Sequence, residues 1–219
     1  MIPKIIHQTY KNHELPGVYK ACQKTIIELH PEFEYRFYTD EMMDDIIRVE
    51  FPDYYAKFNA LPRMIMKIDM FRYFLMYKYG GLYADLDYLM FRPFDFLDHD
   101  IVIPANRESA TGAPECLGNC FFASVPNHPF WKSLIDTLFI IDRSKYDYAN
   151  DDNIIWHKLG TGPMFVFYMY MRTPHNILVP KRSLFHPPTQ LDATYIETLK
   201  TTDCYGMHIC TGFWKNGKL

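Results

Sequence analysis

The sequence predicts an α/β fold in which helices cover both faces of a sheet. Strand-like and helix-like patterns alternate along the chain, which favours a sheet that binds ligands at the carboxyl ends of its strands. The chain has 219 residues, of which 48% are hydrophobic and 22% charged. A chain of this length and composition can bury a large core, so we expect one domain over residues 1–219.

The first elements follow from short periodic runs. Residues 2–6 and 34–38 are apolar or alternating runs that predict strands, and residues 16–29 have a helical pattern. Thr39 followed by Asp40 predicts the N-terminal cap of a second helix.

The strongest helix is predicted over residues 61–79, because Pro62 lies in its first turn and Gly80-Gly81 follows its last residue. The remaining runs predict strands at 82–90, 101–103, 120–125, 177–179 and 205–210, and helices at 129–141 and from about 163.

Charge argues against a nucleic-acid partner. Lys and Arg number 23 against 26 Asp and Glu, for a net charge of −3, and no basic block exceeds Lys181-Arg182. A nucleic-acid groove normally presents a basic face, which this chain lacks.

Targeting and membrane signals are also missing from the sequence. The longest strongly apolar uncharged run, 159–171, has thirteen residues, whereas a membrane span needs about 20. The N-terminus lacks the basic and apolar regions of a signal peptide. We therefore expect no transmembrane segment and a cytoplasmic location, either free or recruited to a membrane through a molecule that the protein acts on or a partner.

The cysteines favour a reducing compartment. They are five in number and form no C-x-x-C pair, which fits free thiols better than a disulfide framework. We interpret them as small core residues. They are Cys22, Cys116, Cys120, Cys204 and Cys210.

Two acidic residues, Asp85 and Asp87, interrupt an apolar run. In a strand, residues i and i+2 point to the same side, and two buried carboxylates there require protonation, a cationic partner or a divalent metal. Carboxylate oxygens suit Mg²⁺ or Mn²⁺. The alternative is a strand that ends by Tyr83, with both acids in a solvated loop. A second Asp-x-Asp, at residues 98–100, is predicted to be a polar turn.

The helix before this pair carries two charged residues on an otherwise apolar surface. Asp69 and Arg72 share one stripe of the 61–79 helix, and a helix so apolar is buried. The two residues either pair with each other inside the core, or the Gly80-Gly81 turn brings them beside Asp85 and Asp87 in one cleft.

The segment from Lys67 to Asp87 resembles the signature of the DxD sugar-binding glycosyltransferases. That family includes α-1,6-mannosyltransferases, α-1,4-glycosyltransferases and inositol phosphoceramide mannosyltransferases. Further stretches agree in order along the chain: residues 2–10, 119–131, 160–163, and His208 followed by Trp214.

The resemblance implies a GT-A fold with a Rossmann-like mixed sheet. It also implies a retaining hexosyltransferase that moves a sugar from a UDP- or GDP-linked donor to a glycan or glycolipid acceptor with Mn²⁺ or Mg²⁺. Retention by same-face attack and retention through a covalent intermediate both stay open.

By position, the resemblance assigns roles to the charged residues. Asp85 would contact the donor and the metal, Asp87 would ligate the metal, and His208 would be a further metal or diphosphate ligand. Asp69 and Arg72 would hold the sugar hydroxyls and the ribose. Of these, Asp69, Arg72, Asp85 and Asp87 are the expected catalytic residues.

The other expected donor contacts are His7, Gln8, Tyr10, Tyr83, Asn119 and Trp214. The early motif would form the floor for the base, with Tyr10 stacking on it where the family usually has Trp. Asn119 would touch the transferred sugar, and Trp214 would close over the diphosphate. Structural roles compete with three of these assignments: His7 also fits a residue that orders the turn of the first strand, and His208 and Trp214 each also fit a position in the core.

Two other functions compete with this one. A phosphatase with an aspartate nucleophile is disfavoured, since Leu89 stands where such enzymes have Thr or Val. A catalytically inactive scaffold of the same fold, which binds a carbohydrate or a nucleotide, stays open as the alternative.

Overall fold

The computed structural model describes residues 1–141, 158, 160–172 and 176–212. Trp214 lies outside these residues. The helices are α1 (Gly17–Leu29), α2 (Asp40–Glu50), α3 (Pro52–Asn59), α4 (Met64–Tyr79), α5 (Pro129–Ile140), α6 (Pro163–Tyr170), α7 (Arg182–Phe185) and α8 (Ala193–Lys200). The strands are β1 (Ile5–Thr9), β2 (Glu34–Tyr38), β3 (Gly81–Ala84), β4 (Tyr88–Met90), β5 (Ile101–Val102), β6 (Ala105–Glu108), β7 (Pro114–Leu117), β8 (Phe121–Ser124) and β9 (Gly206–His208).

A five-stranded mixed sheet organises these elements. Its strand order is β2-β1-β3-β8-β5, with β1 parallel to both β2 and β3, and β8 antiparallel to β3 and β5. Two further antiparallel pairs, β4 with β9 and β6 with β7, lie outside this sheet. The α/β prediction is confirmed.

Alternation along the central strands divides the interior into two cores. Tyr83 of β3 and Phe122 of β8 belong to a cluster with α2 to α6, whereas their neighbours Leu82 and Phe121 belong to a second cluster with Ile26 of α1. Successive residues of a strand point to opposite faces, so the sheet is covered on both sides.

Several predicted elements are confirmed, among them α1, β2 and the cap at Thr39, whose side chain accepts a hydrogen bond from the Met42 amide. The first strand lies further along than predicted, at Ile5–Thr9. The run at 177–179 forms only a single bridge, between Leu178 and Val102. Helices α3, α7 and α8 and the hairpin of β6 and β7 were not predicted.

One prediction about the 82–90 strand is wrong. The strand ends at Ala84 and resumes at Tyr88, because the Tyr88 amide donates to the Asp85 carbonyl in a turn (3.0 Å) and Tyr88 then pairs with β9 instead of with the central sheet. Asp85 and Asp87 therefore lie in a turn between two strands, and not on one face of a strand.

Helix α4 runs into the core and ends against the sheet. Nine of its sixteen residues are buried, including both Asp69 and Arg72. Gly80 and Gly81, with φ of 63° and 91°, then turn the chain directly into β3. A Cβ on Gly81 would lie 2.6 Å from the Ile5 carbonyl oxygen, so the start of β3 lies too close to β1 for any side chain at this position.

His7, in β1, holds the junction between α4 and β3 in place. Its ring is fully buried, with Nε2 2.8 Å from the Gly80 carbonyl oxygen and Nδ1 2.9 Å from the Tyr38 hydroxyl. A neutral ring donates to Gly80 and accepts from Tyr38. Burial lowers the pKa of His7 to about 4, more than the hydrogen bond to Gly80 raises it.

Gly81→Ala should destabilise the protein by at least about 2 kcal/mol, because it combines positive φ with a steric clash against backbone. Gly17→Ala is the matched control, since a Cβ there meets nothing within 4 Å at the start of α1. Denaturant unfolding of both variants measures the difference. Equal stabilities would contradict the close approach described here.

The contribution of His7 to stability should fall as the pH is lowered from about 6.5 to about 4, because the unfolded chain binds a proton at His7 that the folded chain excludes. Above pH 6.5 the contribution of His7 is constant. The pKa difference corresponds to about 3 kcal/mol. Unfolding free energies of native protein and His7→Gln across this range should show a shallower slope in the variant, while His13→Gln, at an exposed position, should keep the native slope.

Candidate active site

A cleft of about 610 Å³ opens at the carboxyl ends of the parallel strands. Thr9 at the end of β1, Asp40 just after β2 and Asp85 just after β3 all line it. This edge is where an open α/β sheet binds its ligands. Apolar residues of α4 and the loop before β4 form part of the wall: Met64, Ile65, Ile68 and Leu86.

Asp69 is held by hydrogen bonds on both carboxylate oxygens. Oδ1 accepts from Asn119 Nδ2 (2.8 Å) and Oδ2 accepts from the Thr161 hydroxyl (2.7 Å). The Tyr73 hydroxyl lies 2.7 Å from Asn119 Oδ1 and fixes the amide. Burial outweighs Arg72 and these hydrogen bonds and raises the pKa of Asp69 to about 6.

Arg72 connects the helix to the acidic turn. Its guanidinium lies 3.5 Å from Asp69 Oδ1 and 3.3 Å from Asp85 Oδ1, donates to the Asn119 carbonyl, and lies over the Tyr83 ring. Both sequence-based alternatives for the charged stripe are therefore realised together, as an internal ion pair whose members line the same cleft as Asp85 and Asp87.

Gln8 supports the turn at 85–87 through hydrogen bonds to its backbone. Its amide nitrogen donates to the carbonyls of Ala84 (3.3 Å) and Asp85 (3.2 Å), and its oxygen accepts from the Tyr35 hydroxyl. The Tyr83 hydroxyl donates to Asp85 Oδ1 at 2.8 Å. Burial raises the pKa of Asp85 despite the opposing charge of Arg72.

Asp87 meets the C-terminal part of the described chain. Oδ1 lies 2.9 Å from His208 Nε2, and Oδ2 accepts from both the amide and the hydroxyl of Thr211. Burial alone would raise the pKa of this carboxyl, but the hydrogen bond and charge of His208, together with Thr211, lower it to about 2. The pairing of β4 with β9 sets His208 opposite Tyr88 and so beside the turn.

These side chains form a donor set that fits a divalent cation. Asp85, Cys120 and His208 each place one ligand atom within 4.8 Å of the others, and Asp85 Oδ2 lies 3.9 Å from His208 Nε2. Two carboxylates and an imidazole are ligands that Mn²⁺ accepts, and the carboxylates also suit Mg²⁺. The residues expected to hold a metal are thus brought together.

The structure divides the expected donor contacts into two groups. Tyr10 and Asn119 line the cleft with Asp69, Arg72, Asp85, Asp87 and His208. His7, Gln8 and Tyr83 are not among its lining residues: they are almost fully buried behind the wall, and their hydrogen bonds hold the turn and the helix end. Their geometry is that of supporting residues.

Sequence reasoning missed several lining or supporting residues. Thr161 was interpreted only as part of a turn before a helix, and Thr211 was not considered, although they donate to Asp69 and Asp87. Cys120 was interpreted as a core residue, yet it lines the cleft. Tyr19, on α1, meets the Tyr10 ring edge-on at 5.3 Å. The resemblance at 119–131, which contains Cys120, and at 160–163, which contains Thr161, was the only signal that pointed toward any of them.

Residues 16–107 match the family model described as glycosyltransferase sugar-binding region containing DXD motif. The resemblance to this glycosyltransferase family is therefore confirmed over residues 16–107. Inositol phosphoceramide mannosyltransferase 3 of Schizosaccharomyces pombe is 36% identical over 75% of the chain and 44% of the relative. A mannosyl phosphorylinositol ceramide synthase of Saccharomyces cerevisiae is 39% identical over 63% of the chain and 35% of the relative. The chain thus spans less than half the length of these two glycosyltransferases.

Among solved structures, the PaToxG glycosyltransferase has a similar fold, with a TM-score of 0.54 and 16% identity over 79% of this chain and 70% of that one. The fold is the GT-A fold of glycosyltransferases, as the resemblance implied. Within the described ranges, no helix has the length and apolar character that a membrane crossing requires.

Removal of the Arg72 guanidinium, which bridges Asp69 and Asp85, should be costly for stability. Arg72→Met would leave Asp69 buried beside Asp85 without a compensating charge, and we expect a loss of about 3–5 kcal/mol in unfolding free energy. Arg48→Met breaks an exposed pair with Asp45 and should cost less than about 1 kcal/mol. Denaturant unfolding compares the two, and similar values would show that Arg72 is not the cation on which the cleft depends.

Proposed function

We propose that the chain is a single GT-A catalytic domain that transfers mannose, with retention, from a nucleoside-diphosphate donor to a glycolipid acceptor. The observation that carries this proposal is the convergence of α4, the 85–87 turn, Asn119 and His208 on one cleft at the carboxyl ends of the strands. A divalent cation, Mn²⁺ or Mg²⁺, is proposed as the cofactor.

The sugar and acceptor classes rest on the relatives. They are named for mannose transfer to inositol phosphoceramide, and they match most of this chain or nearly two thirds of it. We propose the same class of reaction here, in which a lipid-linked hydroxyl attacks the anomeric carbon, loses its proton and displaces a nucleoside diphosphate.

The buried polar network is proposed to hold the transferred sugar. Asp69 already accepts two hydrogen bonds, which fix its orientation, and each oxygen keeps a lone pair for a sugar hydroxyl. Among the described residues, Arg72 Nε is buried without a hydrogen-bond partner and is thus a donor that the protein leaves unused. A donor sugar that bound here would satisfy it.

The diphosphate is proposed to lie by the acidic turn. Asp85, Asp87 and His208 would hold the cation, and a cation bound there neutralises negative charge that develops on the departing diphosphate. Arg72, held cationic by Asp69 and Asp85, contributes positive charge at the same end of the cleft. A bound divalent cation would thereby supply positive charge at an end of the cleft that holds three carboxylates, in a protein whose net charge is −3.

The nucleoside is proposed to occupy the end of the cleft beside β1 and β2. Tyr10 and Tyr19 meet there edge to face, and Lys11 and Asp40 lie at the same end. An aromatic surface of this kind can stack on the base of either a UDP- or a GDP-linked donor.

The test is a panel of UDP- and GDP-sugars, GDP-mannose included, assayed with Mn²⁺ and Mg²⁺ for nucleotide release and for transfer to inositol phosphoceramide. Asp85→Asn and Asp87→Asn should lower turnover by on the order of 100-fold or more, because each removes charge that would hold the cation. Asp98→Asn and Asp100→Asn are matched controls, since the second Asp-x-Asp lies in an exposed turn and should tolerate the change.

Undiminished turnover in both Asp85→Asn and Asp87→Asn would exclude the proposed site. Donor binding by the native protein without turnover on any acceptor would instead support a binding-only scaffold.

A further inference from the structure

One thiol lies inside the cleft among the proposed metal ligands. Cys120 is 5% exposed, and its Sγ is within 4.8 Å of an Asp85 oxygen and a His208 nitrogen. A carboxylate, an imidazole and a thiol in one cluster make a donor set different from the all-oxygen sites that Mg²⁺ prefers.

The backbone holds these three ligands in place before any ion binds. The Asp85 amide donates to the Cys120 carbonyl at 2.8 Å, so the two ligand residues are tied directly to each other. His208 is fixed by the pairing of β9 with β4, and an ion bound at Nε2 would replace the hydrogen bond that this nitrogen makes to Asp87. A cluster with so little freedom loses little entropy when it binds an ion.

We propose that Cys120, Asp85 and His208 form a site for thiophilic divalent ions such as Zn²⁺, Co²⁺ and Cd²⁺, which bind it more tightly than Mn²⁺ or Mg²⁺ do. The inference deepens the proposed function by specifying the metal preference of the same site. When such an ion binds, the Cys120 sulfur forms a bond to the metal and its proton leaves to solvent. Three protein ligands leave a position open, as in catalytic zinc sites.

A second nearby thiol, that of Cys210, cannot ligate the same ion. Cys210 Sγ lies 3.2 Å from His208 Nδ1, whereas Asp87 and Asp85 approach the opposite ring nitrogen, Nε2. An ion bound at Nε2 therefore lies across the ring from Cys210. The chain thus supplies its own matched control, a thiol next to the same histidine but on the wrong side of it.

In the proposed glycosyl transfer, Zn²⁺ should therefore compete with Mn²⁺ for the site. A thiolate adds a negative charge to the site that two carboxylates already occupy, so a Zn²⁺ ion held by Cys120 offers less net positive charge to a diphosphate. We expect Zn²⁺ to inhibit the Mn²⁺-supported reaction, and Cys120→Ser to relieve that inhibition.

The direct test needs no sugar donor. The full chain is titrated anaerobically with Co²⁺ under reducing conditions, and absorption from thiolate-to-cobalt charge transfer is followed in the near ultraviolet. Native protein and Cys210→Ser should show the band, saturating at one equivalent. Cys120→Ser should lose it and bind Co²⁺ about tenfold or more weakly. Circular dichroism and a Cys120→Ala variant confirm that loss of the band is not loss of fold.

Three outcomes would overturn the inference: native protein that does not bind Co²⁺, native protein that binds it without the band, or a band that survives in Cys120→Ser. Loss of the band in Cys210→Ser as well would also overturn the assignment to Cys120. None of these results bears on the donor assay with Mn²⁺ and Mg²⁺, so failure here is distinguishable from failure of the proposed glycosyl transfer.

Discussion

The buried guanidinium of Arg72 is the interaction on which the cleft depends. It lies between two carboxylates, Asp69 on its own helix and Asp85 on the turn after β3, and both would be uncompensated without it. It also donates to the backbone at Asn119, which joins β8 to the same centre. One cation thus fixes the relative positions of a helix, a turn and a strand end. The neutral residues around it, Tyr73 and Thr161, complete the hydrogen bonding that lets so polar a centre exist inside an aromatic core.

The parts of this arrangement that could be predicted are local in sequence or are bounded by residues, such as glycine, that end a helix or strand. Helix α4 was recognisable because Gly80 and Gly81 end it, and Asp69 and Arg72 stood out because few charges interrupt its apolar surface. The acidic pair was found for the same reason, although its conformation was not. Nothing within residues 82–90 shows that Tyr88 pairs with His208 instead of continuing the sheet, because that pairing depends on a strand more than a hundred residues away.

The residues that sequence reasoning missed share this dependence on distant partners. Thr161 and Asp69 are 92 positions apart, and Thr211 and Asp87 are 124 apart, so no local pattern connects them. Cys120 looked like any small core residue because it directly precedes the buried strand β8, and its sulfur has polar neighbours only from distant positions: Asp85, His208 of β9, and His186, whose Nδ1 lies 3.8 Å away. His7 and Gln8 lie in a segment that matches a family motif. In the structure their side chains hold the wall of the cleft in place but do not line the cleft itself.

The pairing of β4 with β9 also determines when the cleft becomes complete during synthesis. Domains are made from the N-terminus, at about 5–20 residues per second. Asp87 and His208 are 121 positions apart, so a growing chain displays its acidic turn for several seconds or more before the histidine that faces it has been made. Until then Asp85 and Asp87 have neither the imidazole nor Thr211 beside them. Cation binding by the full ligand set would therefore require that His208 has been made, and it could not guide the folding of the segments that precede this residue.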